Sequence, residues 1–181
     1  MCASRKSLYT IGLSSAAGYR PPLGVEIIMN PLDKLAFDFF KLFARYEFAL
    51  KDMGYINVGR NDEPNPAWDR FANEIGEQLF STDQDTIKES IDYILSSPPK
   101  RQVVIEGIAQ WQDVPNNERN SQALFGHIRR IRNNLFHGAK FNGTWFDPQR
   151  SEKLLSCGFN ILSYCIELND EINWRIPTEN A

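Results

Sequence analysis

From Asn30 to about residue 170, apolar side chains return every three or four positions, the spacing of helices that each bury one face. Asn30-Pro31-Leu32-Asp33 has the composition of a helix start. Asn30 can cap, Pro31 suits the first turn, and Asp33 complements the dipole. Leu35, Phe39, Leu42, Tyr46, Ala49 and Met53 form the stripe behind it, and Gly54 ends it. After a polar loop, Asn65-Pro66 repeats the start signal ahead of Trp68, Phe71, Ile75 and Leu79. Ile87, Ile91, Ile94 and Leu95 predict a third helix, stopped by Pro98-Pro99. Val104, Ile108 and Trp111 mark a shorter fourth that ends before Pro115. A fifth runs from about Asn117 to His137, with Leu124, Ile128, Ile131 and Leu135 on its buried side and Gly138 behind it. The last follows Asp147-Pro148 and carries Leu154, Leu155, Phe159, Leu162 and Ile166.

No stretch alternates strictly enough to predict a strand, so the expected fold is all-α, an antiparallel bundle of five to six helices around one core. Residues 29–175 are expected to form this single domain, with 176–181 as a tail. Residues 1–28 read differently. Arg5 and Lys6 precede a weakly apolar run that Tyr9, Thr10, Ser14 and Ser15 interrupt, and Pro21-Pro22 follows. They are expected to be a disordered leader, or an upstream extension ahead of a start at Met29.

Composition adds a compartment and excludes some chemistry. The three cysteines, Cys2, Cys157 and Cys165, suggest no disulfide framework: the last two fall about 12 Å apart along one helix, too far to join. A reducing, cytoplasmic setting follows, with Cys157 and Cys165 as core residues. No apolar run reaches the roughly 18 residues of a membrane span, and no Cys/His cluster or Gly-rich phosphate loop is evident, so neither membrane nor cofactor is expected. The net charge of -3 excludes a whole-surface nucleic-acid binder. Its distribution restores a local one. Between Arg119 and Phe146 there is no Asp or Glu, while Arg119, Arg129, Arg130, Arg132 and Lys140 all occur, a concentration that can draw an anionic partner.

Within that stretch, Arg129-Arg130-Ile131-Arg132-Asn133-Asn134-Leu135-Phe136-His137-Gly138 places cations, amides and a titratable imidazole at a helix end. Asn133 and His137 share a face with Arg129. Arg132 lies about 140° around the helix from His137, with Asn133 between them in angle, so the polar edge can converge on one phosphate. Arg132-x4-His137, with an amide after the arginine and glycine after the histidine, resembles the motif of HEPN ribonucleases, an arginine four to six residues ahead of a histidine. Phe39-Phe40-Lys41-Leu42-Phe43-Ala44-Arg45-Tyr46-Glu47-Phe48-Ala49-Leu50-Lys51 is similar to the first helix of some bacterial and plasmid-borne HEPN proteins, and Pro98-Pro99-Lys100-Arg101-Gln102-Val103-Val104 also fits that group.

The resemblance implies a metal-independent endoribonuclease of the toxin or anti-phage kind, acting on RNA at a site formed between two protomers, with a cognate antitoxin as a further partner. His137 would be acid or base, Arg132 the phosphate clamp and Asn133 a positioning group, while Arg129, Arg130 and Lys140 would hold RNA. Arg130 also lies within the motif spacing of His137. Glu47 is expected to pair with an arginine, either Arg132 or Arg45. His127 reads as structural or surface, and Trp111 and Trp145 as core or rim residues that could stack on bases. The alternative is a non-catalytic helical module that dimerises or binds RNA or protein. In that case Arg132 is a solvated helix residue and His137 a favourable cation at a helix end.

Overall fold

The computed structural model describes residues 30–115, 118–136, 145 and 147–176. The expected leader, His137, Gly138, Lys140 and residues 177–181 of the expected tail lie outside the described residues, while Ile176, expected to open that tail, is buried in the core. Helix α1 spans Pro31–Asp52, α2 Trp68–Phe80, α3 Asp85–Ser96, α4 Ser121–Phe136, α5 Pro148–Glu167 and α6 Asp170–Arg175. Local chemistry explains their ends. Asn30 accepts from the Asp33 amide at 2.8 Å, and Pro31 opens α1. At its other end the Gly54 amide donates to Lys51 O and the Tyr55 amide to Leu50 O, a Schellman closure that needs the positive φ of Gly54, 78°. Asn120 caps α4 through the Ala123 amide, Asp147 caps α5 through Arg150, and Asn169 caps α6 through Ile172.

The helices enclose one core. Tyr46 on α1 is fully buried and donates to Leu162 O on α5 at 2.5 Å. Phe43 stacks on Trp68 of α2 at 4.9 Å, and Phe71 meets Phe125 of α4 edge-on at 5.3 Å, so aromatic rings join α1, α2 and α4. Cys157 and Cys165 are buried, as core residues should be. Burial pushes both thiols above their ordinary pKa, which keeps them protonated.

The all-α expectation needs correction, because two small antiparallel hairpins join the six helices. Strand β1 (Ile56–Val58) pairs with β2 (Pro64–Pro66) where a polar loop was expected. Asn61 and Asp62 adopt left-handed φ values of 57° and 59° between them, and Pro66 ends a strand, leaving α2 to begin at Trp68. The expected fourth helix is instead strand β3 (Arg101–Ile105) paired with β4 (Ile108–Gln112), in register Ile105 to Ile108. Glu106 and Gly107, at φ 51° and 79°, make the two-residue turn whose twist suits a hairpin. Val103, Val104, Ile105 and Ile108 are β-branched and favour the extended chain once that turn is set. The fifth expected helix begins later than expected, at Ser121, the last is α5, and the short α6 after it was not expected. No helix among the described residues is long and apolar enough to cross a membrane.

Candidate functional site

The last two turns of α4 carry the arginines singled out above. Positions 129, 130 and 132 leave the helix in different directions, since each residue turns the chain by about 100°. Arg132 points toward α1. Its Nη2 lies 3.4 Å from Glu47 Oε2, and its guanidinium carbon is 5.5 Å from the centre of the Phe43 ring. Both charged side chains are a little under a third exposed, 28% and 29%. The pair is therefore partly shielded from solvent, and Phe43 supplies a flat face beneath the cation. Arg132 Nη1 also donates to the Asn133 side-chain oxygen at 3.1 Å. Guanidinium and amide thus form one polar edge at the end of α4. This settles the pairing of Glu47: Arg132, on the facing helix, is its partner.

Arg129 turns instead toward α2, where its Nη1 is 3.7 Å from Asp69 Oδ1. Arg130 faces the β3–β4 side, and its Nη1 donates to His127 Nδ1 at 2.9 Å. Asn134, one turn further on the same face, donates to Lys100 O at 2.9 Å and ties the root of the hairpin to α4. Desolvation, then the nearby Arg101 charge, lowers the pKa of Arg130 from its ordinary value. The three arginines therefore do not form one continuous strip. Carboxylates meet two of them, and a histidine meets the third.

His127 is 5% exposed and sits on the inner side of α4. Arginine has only donors, so Nδ1 must accept and the proton of the neutral ring rests on Nε2. Burial, then the charge of Arg130, drives its pKa from 6.5 to about 4. The ring is a neutral structural acceptor that orients Arg130. His137, the proposed acid or base, and Lys140 lie outside the described residues. Of the two tryptophans, Trp145 donates from Nε1 to Asp33 Oδ1 at 2.9 Å and packs on the core near the start of α1. Trp111 sits half-buried on β4, opposite Gln102.

Phe43 and Asp69 were not anticipated at the site. Phe43 had a usable signal, because it precedes Glu47 by four residues and so shares its face of α1. Asp69 had none, because its meeting with Arg129 depends on how α2 lies against α4. Comparison with protein-family models, with curated proteins and with solved structures returned no match.

Proposed function

We propose that the end of α4 is the active edge of a metal-independent endoribonuclease of the HEPN type. The supporting observation is the Arg132 guanidinium, braced by Glu47 and Phe43 from α1 and joined to Asn133, five positions ahead of His137 in sequence. Attack of an RNA 2′-hydroxyl on the adjacent phosphorus needs three things. A base must take the hydroxyl proton, an acid must protonate the departing 5′-oxygen, and a cation must balance the charged phosphorane. Arg132 supplies the cation with a planar donor fork already oriented by its neighbours. His137 supplies proton transfer near neutral pH, and Asn133 offers a neutral amide beside the phosphate. A second copy of the chain, as a homodimer, would contribute the second histidine that one protomer lacks, since His127 is buried. Arg129, Arg130 and Lys140 would guide the RNA backbone, with antitoxin control and phage defence as the setting.

The test is wild-type protein with mixed RNA in a chelator, beside His137→Ala and Arg132→Lys. Cleavage leaving 2′,3′-cyclic phosphate ends is expected, with turnover reduced about 10²-fold or more in both variants. Arg132→Lys is the sharper variant, because an ammonium keeps the charge facing Glu47 but loses the bidentate fork. Loss of wild-type cleavage on chelation, or an unchanged His137→Ala rate, refutes the mechanism.

A second proposal has its own support. Glu47 and Asp69 already balance the charges of Arg132 and Arg129, as expected of cations that hold helices together in a non-catalytic RNA- or protein-binding module. Folded wild-type protein that binds RNA but cuts none would favour it.

A further inference from the structure

Helix α1 has a second apolar side. Its inner face buries Phe39, Leu42, Phe43 and Tyr46, yet Phe37 and Phe48 on the outer face are 55% and 63% exposed. Between them lie Phe40, Lys41, Ala44 and Arg45, and the six residues, with Arg175 of α6 as a wall, line an open groove of about 390 Å³. Exposed phenylalanines at both ends of one solvent-facing helix, with Lys41 and Arg45 between them, mark an interaction surface.

We infer that this face is a two-fold interface that receives α1 of a second copy, running antiparallel. The spacing carries the inference. Residues 37, 41, 44 and 48 are separated by four, three and four positions, a palindrome about the point between 42 and 43. Two such helices related by a two-fold axis place Phe37 of each opposite Phe48 of the other, and Lys41 opposite Ala44, whose small side chain leaves room near the centre for the lysine stem. Charge follows the same symmetry. In this geometry each flank of α1 faces the same flank of the second copy. One flank carries Lys34, Asp38, Arg45 and Asp52, so reversal sets Arg45 against Asp38 and Lys34 against Asp52. Within one chain Lys34 already pairs with Asp38 at 2.5 Å, and Arg175 holds Asp52 at 2.7 Å. The incoming charges extend existing pairs into networks. The other flank holds Glu47, seven residues after Phe40, and with it Arg132. Both Arg132 edges would then open on one side of the axis, with the two Glu47 positions about 14 Å apart along the helix direction. The interface stands on the α1 face alone. Its bearing on cleavage rests on the ribonuclease proposed above.

Sedimentation of the full chain tests it without reference to RNA. Wild type should be dimeric at micromolar concentration, and Phe48→Glu should weaken the dimer at least ~10-fold while leaving helicity unchanged, because Phe48 is mostly solvent-facing. Asp38→Arg and Arg45→Asp should each weaken it, and the double exchange should restore it, as expected when Asp38 of each copy faces Arg45 of the other. A monomeric wild type overturns the inference, as does a dimer indifferent to Phe48→Glu or a double exchange that stays weak. Dimerisation that appears only after removal of residues 1–29 would assign the groove to that segment and would also overturn it. A dimer that behaves as described but cuts no RNA removes only the ribonuclease. A cleaving dimer indifferent to Phe48→Glu removes only this interface.

Discussion

Replacing His127 by glutamine should flatten the pH dependence of stability on the acid side. In the folded chain the imidazole is buried against Arg130 and has a pKa of about 4, against 6.5 when exposed. A base with a depressed folded pKa takes up protons mainly after unfolding. Its contribution is thus fully present above pH 6.5 and is lost as pH falls through 6.5 toward 4. Between pH 8 and pH 5 the loss comes to about 2 kcal/mol from this one residue, and the full separation of the two pKa values corresponds to roughly 3 kcal/mol. Urea denaturation of wild type and His127→Gln at several pH values measures it. Carboxylates titrate in both proteins and cancel in the difference, so the gap between the curves should narrow by about 2 kcal/mol on acidification. Parallel curves, or a His127 ring resonance that titrates near 6.5 in the folded protein, would refute the buried, arginine-bound histidine. Such a result would also restore His127 as a second candidate for proton transfer, which its burial now disfavours.

Further outcomes follow from the packing. Gly158→Ala would set a methyl group 2.9 Å from Phe39 and 3.6 Å from Ile131, at the meeting of α1, α4 and α5, and should cost about 1–3 kcal/mol in thermal or urea denaturation. Gly107→Ala meets no neighbouring atom, yet its φ of 79° should cost roughly 1–2 kcal/mol. Hydrogen exchange should report that loss in β3 and β4 alone, leaving the helices protected. A double-mutant cycle of Glu47→Gln and Arg132→Gln should give a favourable coupling of roughly 0.3–1 kcal/mol, as befits a pair with partial solvent access. Zero coupling would mean that Glu47 does not brace Arg132.

Helix starts and stops were legible because their chemistry is local. Asn30-Pro31 and Gly54 delimit α1 through bonds made within a turn of the chain, and the three-and-four stripes named most of the core, including Phe39, Tyr46, Ile94 and Leu124. The β3–β4 hairpin escaped because Val104, Ile108 and Trp111 also fit helical spacing. The deciding signal is the two-residue turn Glu106-Gly107 between β-branched neighbours, a cue that competes with helical periodicity. At the site, proximity along the chain suggested a common cationic strip. Arg130 leaves the helix about 100° from Arg129 and about 160° from Arg132, and even Arg129 and Arg132, about 60° apart, each met whatever lay opposite.

By itself, then, the sequence determined where α1, α3 and α5 lie, that Arg132 and Asn133 would share the end of a helix, and that both carboxyl-terminal cysteines would be interior. Periodicity, caps and hydrophobicity act over one or two turns and need no knowledge of the rest of the chain. Only the tertiary structure decided that Arg132 meets Glu47 over Phe43, that Arg129 meets Asp69, and that His127 is buried under Arg130. Those partners are 85, 60 and 3 residues apart. The first two meet only when helices dock. Even the short-range third takes its depressed pKa from burial against the other helices, because the energy of a charge depends on what surrounds it.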